Sequence, residues 1–196
     1  MLVVAVVALL VSCGIDPRTD RPNQPEPLRI GSLLPHSGDQ ASAGAPLVAA
    51  ARLAIDDINA AGGVLGRAVA YRSQDSTSRN NTALEAADAL LDWGADIVIG
   101  TYGSSMAGAV VDPITSRGVL MVSGSNTSPS LTGISPLYFR TAPSDSLEAA
   151  SLADLLVSDG KASVGLIWQD DAWGAAFREA MVANLEAVGV QIVAAE

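Results

Sequence analysis

The stretch AVAYRSQDSTSRNNTALEAADALLDWGADIVIG, residues 68–100, contains a short apolar run, a polar turn, a helical pattern and a second short apolar run. In its middle Ala83, Leu84, Ala87, Leu90 and Leu91 recur at helical spacing, so one helix face is apolar and suited to lie on a sheet. Gly94 stands where such a helix ends. A strand, a helix and a strand in this order make a right-handed crossover between parallel strands.

The same rhythm runs outward in both directions. Strands are expected over 28–34, 68–74, 96–100, 119–123, 163–168 and 190–193, with helices over 44–61, 79–93, 104–117, 146–158 and 172–188. Gly62 and Gly63, then Gly118, Gly160 and Gly189, punctuate the helix ends. Strict alternation predicts an α/β fold with a doubly wound parallel sheet. Between 124 and 136, Ser, Asn, Thr, Pro and Gly dominate before a short apolar segment at 137–141. That segment is expected to lead from a first ligand-binding lobe (28–143) towards a second (144–196). The units after Asp145 either begin a second sheet, left incomplete at Glu196, or extend the first.

The 196 residues are 49% hydrophobic, ample for a buried core, and carry a formal charge of −10. That charge speaks against nucleic acid as a partner, because no basic surface exists to replace phosphate counterions. Residues 2–11 are uninterruptedly apolar, too short to span a bilayer and of the right length for a signal-peptide core. They lead into Leu10, Val11, Ser12 and Cys13, an order that resembles the bacterial lipobox, with Cys13 as the acylated residue and lipid anchor. Cys13 is the only cysteine, so no intramolecular disulfide can form. No Lys or Arg precedes it, whereas secretory signals normally begin with positive charge, so the natural start is expected upstream of Met1. Residues 14–27, rich in Pro, Asp and Asn, are expected to be a flexible tether.

In open parallel sheets, ligands sit beyond the carboxyl ends of the strands. Three loops there are rich in hydroxyl and amide groups: 35–44, 101–105 and 124–127. Ser104 and Ser105 in GTYGSS open a helix, where unpaired backbone N–H groups favour an anion. A carboxylate there gains roughly 0.3 to 1 kcal/mol from the helix dipole. Ser104 is equally readable as an ordinary N-cap. Ser125, Asn126 and Thr127 follow the next strand and could face the same crevice.

Taken in order, IGSLLPHSGDQASAG, LAIDDINAAGGVLGR, QDSTSRNNTALEAADALL, IVIGTYGSS, GVLMVSGSNTSPSLT, YFRTAPSD and the DDAWG segment resemble the branched-chain amino-acid-binding proteins of the type I periplasmic-binding fold. The resemblance runs from Ile30 to about Gly189. It implies an extracytoplasmic, lipid-anchored solute-binding component of an ABC importer that holds an amino acid or related small amide between two lobes and delivers it to a membrane permease. A ligand sensor of the same fold is the alternative it leaves open. Carried over, Ser104 holds the ligand carboxylate and Thr127 contacts carboxylate and ammonium. Ser125 and Asn126 line the pocket through backbone or side chain, and Trp173 packs on the ligand from the second lobe, unless it is a structural aromatic. Ala43 stands where aliphatic binders often place an aromatic and Asn126 where they often have a small apolar residue, which implies a roomier, more polar pocket. The acidic partner of the ammonium is expected beyond Glu196; Asp145 either helps or caps a helix.

Enzyme signatures are weak by comparison. His36 is the only histidine, and no Cys/His cluster offers the usual zinc ligands. No nucleophile elbow, P-loop or dinucleotide fingerprint occurs, so no metal or cofactor is expected. Asp170 and Asp171 read as a solvated helix start. The expectation is a binding protein without catalysis.

Overall fold

The computed structural model describes residues 25–195. The expected signal peptide, the expected lipidation site Cys13 and most of the expected tether lie outside them; residues 25–27 are irregular. The elements in chain order are β1 (Leu28–Leu34), α1 (Ala41–Ala60), β2 (Val69–Asp75), α2 (Asn80–Asp92), β3 (Ile97–Gly100), α3 (Ser104–Thr115) and β4 (Leu120–Ser123). After a 3-10 turn at Pro129–Leu131 come β5 (Tyr138–Arg140), α4 (Asp145–Ser158), β6 (Ser163–Leu166), α5 (Ala172–Ala187) and β7 (Gln191–Ala195).

The first five strands form one parallel sheet in the order β2-β1-β3-β4-β5. Pleating sends alternate residues to opposite faces. Leu33, Val98, Met121 and Tyr138 therefore join one core with Leu90 of α2 and Val110, Val111 and Ile114 of α3. Ile30 and Val69 join Ile55 of α1 on the other face. Gly31 makes room for α2: a Cβ there would lie 2.8 Å from a Leu90 methyl. Leu90 is fully buried, a contribution of about 1.5–3 kcal/mol.

β1 pairs with β2 on one side and β3 on the other, so the winding reverses at β1. The crevice beyond the ends of β1 and β3 is the place where such sheets take ligands. β6 and β7 make a separate parallel pair, covered by α4 and α5 around Ala149, Ala153, Met181, Leu185 and Val190.

The expected rhythm holds with three differences. The segment at 137–141 carries β5, which pairs with β4 and completes the first sheet. α1 begins at Ala41 rather than Gly44. Gly44 lies inside the helix, where a Cβ would overlap the carbonyl of Pro35, so the glycine serves close packing. β6 stops at Leu166, where its pairing with β7 ends, leaving Ile167 and Trp168 outside the strand. The glycines expected at helix ends, Gly62, Gly63, Gly94, Gly118, Gly160 and Gly189, all have positive φ.

Candidate functional site

A cleft of about 430 Å³ opens at the switch point. Asp39, Gln40, Ser42 and Ala43 reach it from the β1–α1 connection and the first turn of α1. Tyr102, Gly103 and Ser104 enter after β3, and Ser125 and Thr127 after β4. The opposite wall is Gln169 and Asp171 from the β6–α5 connection and Trp173 from the first turn of α5. Both sheets therefore contribute to one cavity.

Ser104 is the first residue of α3, and its side chain makes no cap hydrogen bond; Gly103 holds the N-cap position. Its Oγ instead accepts from the backbone N–H of Thr127 at 3.1 Å and of Ser128 at 3.3 Å. With those two interactions on its oxygen, the hydroxyl keeps its proton for an acceptor in the cleft. This contact also fixes the β4 loop against the start of α3. The Ser125 hydroxyl donates to the carbonyl of Tyr102 at 2.9 Å, tying the same two loops together.

Trp173 bridges the cleft. Its Nε1 donates to Asp145 Oδ2 at 2.7 Å and to Thr127 Oγ1 at 3.2 Å, and its ring stacks on Phe177 with centroids 5.9 Å apart. Asp145 is 2% exposed and is not a cap; Ser144 caps α4, accepting from the N–H of Ser146. Asp171, expected at a solvated helix start, is the N-cap of α5: its Oδ1 accepts from the N–H of Gly174 at 2.8 Å. Its Oδ2 accepts from Ser105 Oγ at 2.9 Å and Gln169 Nε2 at 3.0 Å. Gly174 is required there because a Cβ would overlap the Gln169 carbonyl.

Ser105 and Asn126 are not among the residues lining this cleft. Ser105 borders the adjoining cavity that shares Asp39, Gln40, Gln169 and Asp171 with it; besides bonding Asp171, its Oγ accepts from the N–H of Trp173 at 3.3 Å. Asn126 is fully buried beneath the cleft wall, and its amide donates to the carbonyls of Thr101 and Tyr102, each at 3.1 Å. The Tyr138 hydroxyl donates to Asn126 Oδ1 at 3.0 Å. Burial pushes the Tyr138 phenol up against the opposing pull of Arg140 and Ser123, so it remains a donor. Consecutive residues project in different directions, which is why Ser104 and Thr127 face the cavity while their neighbours Ser105 and Asn126 do not.

The β1–α1 loop is held by Asp75. Its carboxylate accepts from the N–H groups of His36, Ser37 and Thr77 and, at 2.6 Å, from the Ser37 hydroxyl. Burial pushes this carboxyl up, but the hydrogen bond from the Ser37 hydroxyl and those from the three backbone N–H groups outweigh it, leaving the group below its ordinary range.

A family model described as periplasmic binding protein matches residues 27–196. The chain belongs to this family. As a periplasmic binding protein it is similar to a Leu/Ile/Val-binding protein homolog of Brucella melitensis, 30% identical over 83% of this chain and 45% of the relative. Among solved structures it is similar to an ABC transporter substrate-binding protein from Desulfitobacterium hafniense in complex with Leu (30% identity, TM-score 0.73), over 87% of this chain and 50% of that one. It is also similar to the branched-chain amino acid transporter substrate binding protein LivJ of Streptococcus pneumoniae in complex with isoleucine (25% identity, TM-score 0.78), over 87% and 49%. The parallel α/β architecture is the type I periplasmic-binding fold, and this periplasmic binding protein spans just under half the length of the curated relative from Brucella.

Gln40, Tyr102, Gln169 and Asp171 line the cleft of this periplasmic binding protein without having been singled out as binding residues from the sequence. A polar loop residue carries no periodicity that would distinguish it. Gln40 falls within the loop 35–44 that the sequence picks out after β1, but its place on the cleft depends on the turn into α1.

Proposed function

We propose that the full-length protein is the extracytoplasmic solute-binding component of an ABC importer, capturing an amino acid between two lobes, 28–143 and the region from 144 onward, and presenting it to a membrane permease. Lipidation at Cys13 after signal-peptide cleavage would anchor it to the membrane. The amino-acid ligands named for the related structures support the substrate class. No catalytic step is assigned.

The observation that carries this proposal is the Ser104 hydroxyl. Two backbone N–H groups occupy its oxygen, it stands at the start of α3, and Thr127 faces the same cleft. Such a set of neutral donors suits a carboxylate, and charge-assisted hydrogen bonds from it contribute about 1.5–3 kcal/mol each. Ser125 borders the same space, and Trp173 closes it from the far side. Closure follows only if the ligand prefers the closed arrangement, which contacts from both walls provide.

Calorimetry of the full-length protein with a panel of amino acids tests this function. Binding of at least one, lost in the Ser104→Ala/Thr127→Ala double variant, is expected. Binding of none would overturn the function, and unchanged affinity in that variant would overturn the assignment of the site to Ser104 and Thr127. Uptake in cells lacking the protein separates the importer from the sensor of the same fold: unimpaired uptake of the bound amino acid favours the sensor.

A further inference from the structure

The two serines that open α3 turn to different walls. Ser104 lines the cleft, and Ser105, about 100° further round the helix, reaches the start of α5. The Ser105 hydroxyl donates its only proton to Asp171 Oδ2 at 2.9 Å, and its oxygen accepts from the backbone N–H of Trp173 at 3.3 Å. Both partners belong to the far wall, so this side chain has no proton left for a ligand.

The Asp171 carboxylate accepts three hydrogen bonds, from the N–H of Gly174, from Gln169 Nε2 and from Ser105. The first two come from its own connection and helix, whereas Ser105 reaches it from the first sheet. An ionised acceptor makes that contact stronger than one between neutral groups. A further side-chain bond across the cleft, from Trp173 Nε1 to Thr127 Oγ1, uses a hydroxyl that also faces the ligand space. The two bonds of Ser105 join the walls whatever occupies that space.

We propose that Ser105 is a positioning residue: it latches the start of α5 onto α3, sets Gln169, Asp171 and Trp173 on the far wall, and retains the ligand without touching it. This rests on the capture of an amino acid between two lobes, as argued above. Separation of the lobes breaks both bonds, so the latch favours the closed arrangement alone. A contact made only in that arrangement tightens every ligand by the same factor, and it acts on release rather than on capture.

The test is calorimetry and stopped-flow binding of the common proteinogenic amino acids to the full-length protein and its Ser105 variants. Ser105→Ala, and the near-isosteric Ser105→Cys with its weak donor, should each raise Kd about tenfold for every amino acid the parent binds. The order of preference should stay the same, and the dissociation rate should rise by the factor lost in affinity. Ser105→Thr keeps the hydroxyl and should restore the parent values, which separates the hydrogen bonds from damage to the helix start. Unchanged affinity in Ser105→Ala and Ser105→Cys, a loss carried by association alone, a reordered preference, or a Thr variant as weak as Ser105→Ala overturns the latch while leaving amino-acid binding intact. Binding of no amino acid by the parent removes the underlying function as well.

Discussion

Trp173 Nε1 lies 2.7 Å from Asp145 Oδ2, joining the helix that closes the cleft to a carboxylate only 2% exposed. The same N–H is 3.2 Å from Thr127 Oγ1. One indole proton is thus shared between the β4 loop and the start of α4, and the wall containing α5 is hydrogen-bonded to the first sheet.

Trp173→Phe should preserve stacking on Phe177 but deprive a buried carboxylate of its side-chain donor. The expected loss is about 1–3 kcal/mol of unfolding free energy, read from urea denaturation. Asp145→Asn, which keeps an acceptor for the indole, should cost less. Equal stability of Trp173→Phe and the parent would argue that the contact contributes nothing.

Asn126→Leu tests the placement of that side chain. It removes the donor to the carbonyls of Thr101 and Tyr102 and the acceptor for the Tyr138 hydroxyl. A fall of about 2–4 kcal/mol is expected, since several buried polar groups lose partners together. The order of ligand preference should stay the same; a reordered preference at undiminished stability would mean that Asn126 faces the ligand.

Ser104→Ala removes the acceptor for two N–H groups as well as a hydroxyl donor. The melting temperature should fall, and the β4 loop should lose amide hydrogen-exchange protection at Thr127 and Ser128. Unchanged exchange at both amides would contradict the assigned hydrogen bonds.

Asp75 has a folded-state pKa below that of the unfolded chain, about 3.9 for an ordinary Asp. Its contribution is therefore present above the unfolded value and lost as pH falls through the folded one. Asp75→Asn should lower the melting temperature at pH 6–7, with the gap to the parent narrowing below about pH 4. A gap independent of pH would remove the carboxylate from the explanation.

Much of the fold was legible because each helix ends on a glycine whose positive φ the backbone needs, and because β1 occupies the expected seven residues, Leu28–Leu34. β5 was not legible as a strand: Tyr138–Arg140 is three residues long, sits at the sheet edge and leaves Phe139 54% exposed, so no apolar period announces it. The start of α1 was obscured for a different reason: the helix expected over 44–61 begins three residues earlier, at Ala41, because Gly44 belongs to its first turns, where the missing Cβ allows the helix to approach Pro35. At the site, Ser104, Ser125, Thr127 and Trp173 line one cleft. Ser105 and Asn126 share their loops but not their direction, and direction depends on the turn geometry. Gln40 lies in the polar loop 35–44, where nothing in the sequence distinguishes it from its neighbours; its place on the cleft depends on the fold.

The paired N–H groups behind Ser104 have a further consequence. A hydroxyl whose oxygen is occupied by Thr127 and Ser128 can only give a proton, so this end of the cleft has a chemical polarity without a net charge. An amine presented there finds nothing on that oxygen to bond to, whereas a carboxylate does, so a zwitterion has one preferred way round. Since the discrimination comes from fixed dipoles at contact distance, added salt should leave it largely intact.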